Sequence, residues 1–337
     1  MTFPKIELHV HLEGTVRAPA LLEMARRNDV ALPADTVAGL AGLYEFTDFA
    51  HFINVWMLTT SALRTEADFR QVVVDYAAEA ASHGAVYLEG IFSPSEPVAR
   101  GAAWDEVFTG YCDGAAEARE LHSVHVRLTP DITRGMSLGV AEETAAYAVK
   151  YADRGIVGIG LGGSEAEYAP EPYERAFAIA RSGGLGSVPH AGEVAGPESV
   201  RGALDVLHAD RLRHGIRAIE DPGLVRELAA RGTVLDVCPI SNVRTRAVAS
   251  LAEHPLPALI GAGVTCSVST DDPAMFGTDL SADYAAAFEL GVSPAECYAA
   301  GQRGALCDDS TLALLARIGA EFDWTGVTDM GAQAGRP

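Results

Sequence analysis

The chain has 337 residues, 48% of them hydrophobic, and a formal net charge of −21. That length suits one α/β barrel of roughly 250 residues plus insertions, and the acidity argues against phosphate backbones and anionic membranes as partners, because binding them needs Lys and Arg. Five cysteines without CxxC spacing suggest neither a disulfide framework nor a thiolate zinc cluster; with no apolar signal segment and no stretch near the ~18–20 residues of a membrane span, the expectation is a cytoplasmic protein.

Eight short apolar, β-branched runs alternate with helical stretches, which predicts an α/β fold, a TIM (β/α)8 barrel. The first run, 6–11, carries His9 and His11 two apart, so both side chains leave one face near its C-terminal end. The connection that follows is the longest and predicts a helical insertion after the first strand. It contains FTDFAHFINVWMLTTSAL, whose Phe46, Phe49, Ile53, Trp56 and Met57 form a bulky apolar face. That face serves either ordinary packing or a lid that keeps water out of a polar site. Runs at 85–92, 124–130 and 156–163 come next. Run 186–192 holds His190 in VPHAGE, with Glu193 three residues later, and run 211–215 carries His214 near its end in RLRHG. The last two, 234–239 and 265–271, lead to Asp271 and Asp272 in STDDP. Helices are predicted at 173–181, 222–231 and 257–263. Residues 1–324 read as a single barrel domain and 325–337 as a loose tail.

In a closed parallel barrel the C-terminal strand ends meet at one rim, so His9, His11, His190 and Asp271 are expected around one ion. Three imidazoles and a carboxylate suit zinc and leave room for water, whose pKa such an ion lowers towards ~7. His214 would orient or deprotonate that water and Glu193 would act as acid. Singly, each residue has a plain alternative: a hydrogen-bonded histidine pair, a core histidine, a solvated loop acid. Four histidines and an Asp pair at one rim are much more specific.

The motifs ELHVHLEG, GLGGSE, VPHAGE, RLRHG, DVCPISN and STDDPAMF, in this order, resemble the adenosine deaminase family of the amidohydrolase superfamily. The resemblance implies one zinc per subunit on His9, His11, His190 and Asp271. It makes Glu193 the proton donor to purine N1 and His214 the residue that positions the hydroxide. His11, Glu13, Gly163 and Asp272 would face the substrate, with the Gly163 N–H on N3 and Asp272 on N7. A carboxyl group pressed against an aromatic ligand in a dry site has its pKa raised, which suits Glu193 as a donor. The run at 156–163 has no Lys or Glu to bridge two metals, which favours one ion. No HxE and PCxxC pair of the separate zinc deaminases is present.

The implied reaction is hydrolytic deamination of adenosine or deoxyadenosine to inosine and ammonia. Nucleoside-acting members often carry Asp where this chain has Glu13, so adenine and the 6-aminodeoxyfutalosine of menaquinone synthesis stand as alternatives. Arg213 occupies a position that is usually small or acidic. Arg244 and Arg246 follow the seventh run; they or Arg17 serve a surface role or meet a substrate carboxylate. From a different class, the chain would be a barrel that binds a purine or a metal without turnover. The complete set of ligands and proton-transfer groups speaks against that reading. The expected partner is a small purine, not nucleic acid or membrane.

Overall fold

Short apolar, β-branched runs bounded by Gly, Pro and Asp form strands here, and the often Ala-rich stretches between them form the helices that cover them. The computed structural model describes residues 3–327. Among these, the strands are β1 Lys5–His11, β2 Ala85–Phe92, β3 His125–Thr133, β4 Gly158–Gly162, β5 Gly186–Ser187, β6 His190–Ala191, β7 Arg211–His214, β8 Val234–Val237 and β9 Thr265–Val268. They pair in parallel as two arcs, β1 to β5 and β6 to β9.

Two seams close the arcs into a (β/α)8 barrel. The run predicted at 186–192 is split into β5 and β6 by Pro189, which has no N–H for the ladder. Val188 N–H still donates to Ile159 O on one side (2.9 Å), and Pro189 O accepts from Arg213 N–H on the other (3.0 Å). At the second seam Val10 bridges to Asp271: His11 N–H donates to Asp271 O (2.8 Å) and Asp271 N–H to His9 O (3.1 Å). Closure of the barrel therefore sets Asp271 beside both histidines of β1.

Four α-helices lie between β1 and β2: Ala18–Arg27, Val37–Leu43, Phe49–Thr60 and Glu66–Ser82. The last is the barrel helix, started by a capping box between Thr65 and Asp68; the others form the predicted insertion. The helix expected at 222–231 appears with those bounds. Asp221 caps it, Pro222 opens it, and Gly232 ends it at φ +69°. The two other expected helices occupy Glu174–Ser182 and Leu256–Gly261. Of the predicted tail, residues 325–327 belong to or follow a short turn at Trp324–Gly326, and 328–337 lie outside the described residues. No helix among the described residues is long and apolar enough to cross a membrane.

The apolar core sits between strands and helices, whereas the barrel interior is charged. Alternation along β7 sends Arg211 and Arg213 inward, and both are buried. Arg211 donates to Glu89 (2.7 Å), Asp236 and the Leu8 carbonyl (3.1 Å). Arg213 donates to Asp131 and to Thr129 Oγ1 (2.6 Å). A Cβ at position 160 would overlap both Asp131 and Arg213, which is why β4 carries glycine there. Losing one partner of such a pair leaves a buried charge, at about 3–5 kcal/mol.

Candidate active site

The C-terminal ends of β1, β6 and β7 and the loop after β9 bring the expected residues together. His9 Nε2 and His11 Nε2 each lie 3.1 Å from His190 Nε2. Asp271 Oδ1 is 3.2 Å from His9 Nε2 and 3.4 Å from His11 Nε2. Behind two of these rings, Nδ1 faces a carbonyl: Asp236 O at 3.5 Å from His9, Leu161 O at 3.0 Å from His190. An Nδ1–H donated to a carbonyl leaves the Nε2 lone pair pointing inward. Several lone pairs and a carboxylate then converge, an arrangement that could hold a cation. Tetrahedral donors about 2.0–2.1 Å from zinc stand roughly 3.3 Å apart, so the spacing fits that ion. Burial drives the His9 and His190 pKa values well down and that of His11 to about 3, so the rings are neutral, as ligands must be.

His214 and Asp271 hold left-handed backbone conformations, φ +61° and +68°, unusual for residues with a side chain and frequent at functional sites. His214 Nε2 lies 3.4 Å from Glu193 Oε2 and 3.9 Å from Asp271 Oδ2. Burial above all, then the charges of Asp271 and Glu165, pushes the Glu193 pKa well up, which favours the protonated, donating form of this carboxyl.

These groups floor a cavity of about 330 Å³ that Gly163, Asp272 and Arg134 also line. Phe49, Ile53, Trp56 and Met57 line it too, so the helix Phe49–Thr60, the lid helix, walls one side of the cavity. Phe46 departs from the expected face: it packs below the lid with Tyr44, Phe52, Met275 and Phe276. Trp56 Nε1 donates to Asp272 Oδ1 (2.9 Å), and a Cβ on Gly14 would overlap that carboxyl, which accounts for the glycine of HLEG. Burial, then the neighbouring Asp271, raises the Asp272 pKa well above the usual carboxylate range.

Glu13 departs from its expected place. Ser93 N–H holds its Oε1 (2.7 Å), and the side chain turns into a small pocket shared with Tyr111 and Arg100 rather than onto the cavity wall. Glu96, unremarked in the sequence, lines both spaces. Arg17 pairs with Glu79 and the carbonyls of Pro273 and Thr278. Arg244 and Arg246 donate to the carbonyls of Tyr44 and Phe46 (3.2 Å each) and so pin the start of the lid. None of these three arginines lines the cavity. Arg134 does, yet its donors go to the carbonyls of Tyr168, Leu161 and His190.

Sequence reasoning also missed Glu165, the last residue of GLGGSE. This buried carboxylate accepts the N–H groups of Gly192, Glu193 (3.1 Å), Val194 (2.9 Å) and Ala195 (3.0 Å) and the Ser199 hydroxyl (2.6 Å). It holds the loop that carries Glu193. A carboxylate in a glycine-rich strand end was the available signal.

The sequence pattern of the adenosine deaminase family matches residues 4–310. The chain belongs to the adenosine deaminase family. An aminodeoxyfutalosine deaminase from Acidothermus cellulolyticus is 52% identical over 332 residues, covering 96% of this chain and 93% of that protein. The crystal structure of an adenine deaminase from Arthrobacter aurescens is 34% identical with a TM-score of 0.88, covering 95% and 98%. An amidohydrolase from Burkholderia ambifaria with bound zinc is 25% identical with a TM-score of 0.86, covering 95% and 90%. This family member is therefore a hydrolytic deaminase of an adenine-like small molecule, and the His and Asp cluster is its candidate metal site.

Proposed function

We propose that this deaminase acts on 6-aminodeoxyfutalosine, with residues 1–324 as one barrel domain and one zinc ion per subunit. The observation that carries the reading is the 52% identity, along nearly the whole chain, with an aminodeoxyfutalosine deaminase. Adenosine, placed first on sequence alone, gives way to this alternative. Two features of the site support it. Glu13, which stands where nucleoside-acting members often carry Asp, does not line the cavity. The lid helix lines the cavity with apolar side chains that suit a bulky 5′ arm. Adenine remains the second reading, favoured by the adenine deaminase structure. Five free thiols, four of them buried, fit a reducing compartment, and we place the enzyme in the cytoplasm.

His9, His11, His190 and Asp271 would hold the zinc. When bound, the ion supplies a Lewis acid that lowers the pKa of water to ~7. His214 sits beside the attacking oxygen. Asp272, whose pKa burial raises, hydrogen-bonds N7, and the Gly163 N–H meets N3. Glu193 gives its proton to N1 as the oxygen adds at C6. Collapse expels the amine as ammonia and leaves a 6-oxopurine. Of the two water protons, one leaves on ammonia and the other returns to Glu193, so the acid is restored.

The test is ammonia release from 6-aminodeoxyfutalosine, adenine, adenosine and 2′-deoxyadenosine with the zinc-loaded protein, Glu193→Gln serving as control. A kcat/KM for 6-aminodeoxyfutalosine about a hundredfold above the others, roughly ~3 kcal/mol, is expected. Preference for adenine would transfer the assignment to the second reading. Turnover in the Glu193→Gln control equal to wild type would remove Glu193 as the acid.

A further inference from the structure

A neutral imidazole at the place of His214 either takes a proton from the attacking oxygen or gives it a hydrogen bond, depending on which ring nitrogen carries hydrogen. Its Nε2 faces the reaction space. Its Nδ1 points away, 3.2 Å from Asn242 Nδ2. Behind the amide, Asn242 Oδ1 lies 3.1 Å from His254 Nε2. Behind that ring, His254 Nδ1 lies 3.1 Å from the backbone nitrogen of Leu256. Asn242 and His254 are both buried.

The row has a fixed direction because its far end is a backbone N–H, which only donates. Leu256 is the first residue of the helix Leu256–Gly261, so its N–H has no partner within that helix. It donates to His254 Nδ1, which must therefore be the unprotonated nitrogen, and the His254 hydrogen sits on Nε2. That hydrogen goes to Asn242 Oδ1. The amide is thereby oriented with its NH2 towards His214 Nδ1, which accepts. The one hydrogen of His214 is left on Nε2.

We infer that Asn242 and His254 are positioning residues that lock His214 as an Nε2–H donor, so that it aims the attacking oxygen at C6 and does not deprotonate it. The inference rests on the reading of His214 as the residue beside the attacking oxygen. The surroundings of Nε2 are compatible with it: oxygens of Glu193 and Asp271 lie 3.4 and 3.9 Å away, so an Nε2–H faces acceptor atoms. The three residues come from β7, from the helix Pro239–Arg244 after β8, and from the segment just before Leu256–Gly261. The packing of separate βα units thus decides one proton position.

The experiment uses the zinc-loaded enzyme with 15N-labelled histidine, because the two ring nitrogens of each tautomer resonate far apart. Wild-type His214 should show hydrogen on Nε2. Asn242→Asp offers only acceptors, so His214 should move its hydrogen to Nδ1, with kcat falling about a hundredfold or more and KM changing less than about threefold. His254→Ala should release the amide and cost roughly tenfold. Hydrogen on Nδ1 in the wild type would overturn the inference, as would an Asn242→Asp enzyme with switched tautomer and unchanged kcat. If Asn242→Asp does not fold, the wild-type spectrum decides alone. His214→Ala separates the two levels: full turnover there would mean that His214 is not at the reaction, whereas loss there with an undiminished Asn242→Asp enzyme would sink the relay only.

Discussion

Glu165→Gln probes how much of the chemistry depends on one buried carboxylate. One oxygen of Glu165 accepts from Glu193, Val194 and Ala195, and the other from Gly192 and Ser199. A glutamine at this place keeps its carbonyl oxygen on the three amides. Its NH2 then faces the Gly192 N–H, while the Ser199 hydroxyl can rotate to accept. One buried N–H without a partner costs about 1–3 kcal/mol, and replacing charge-assisted bonds by neutral ones adds roughly 1 kcal/mol. The penalty of about 2–4 kcal/mol falls on the loop between His190 and the acid. If all of it is felt when Glu193 meets N1, kcat/KM drops by roughly 30- to 900-fold. Steady-state ammonia release, with zinc content and melting temperature measured on the same samples, checks this. Turnover within about twofold of wild type would refute the reasoning, and so would a loss that zinc addition fully reverses, because the damage would then lie in the metal site.

Burial pushes the pKa of Asp283 up to about 8, while it accepts from Ile240 N–H and Thr278 Oγ1; an unfolded Asp titrates near ~3.9. Its contribution is therefore complete below about pH 4 and is lost as pH rises towards 8, by up to ~1.4 kcal/mol per pH unit. Asp283→Asn should flatten that slope and melt higher than wild type at pH 8.5; parallel melting curves across pH would contradict it. Arg244→Ala with Arg246→Ala removes two carbonyl anchors of the lid, so KM should rise by a similar factor, about three- to tenfold, for every purine tested. A rise confined to a carboxylated substrate would instead mean a direct contact. Chelation of the metal should lower the melting temperature and abolish turnover, and zinc should restore both, since Nε2 lone pairs and the Asp271 carboxylate then face one another without a cation. A melting point indifferent to chelator would count against the site.

The strand runs were legible because short apolar, β-branched stretches with Gly, Pro or Asp at their ends are local properties. The convergence of the candidate ligands was legible for a topological reason: a parallel barrel sends every strand end to one rim, so His9 and Asp271, near opposite ends of the chain, needed no contact prediction. The break between β5 and β6 was visible as Pro189 but was not read as an interruption. Arg211 and Arg213 were not recognised as interior residues, since an arginine in a barrel requires acids on neighbouring strands and, at Gly160, the absence of a side chain. Glu13 was expected to face the substrate from its place after His11 and yet faces elsewhere, because a backbone N–H at Ser93 claims its oxygen.

What separates the readable from the unreadable is the distance over which direction is decided. Alternation fixes the face of the sheet on which a residue emerges, and it does so within two or three positions. The donor or acceptor character of that residue is decided by partners on other elements. His214 shows both sides of this. Its place at a strand end follows from RLRHG alone, whereas its proton is assigned through Asn242 and His254 by the N–H of Leu256. A sequence reading of such a barrel therefore locates the reaction before it can say which atoms give protons and which accept them.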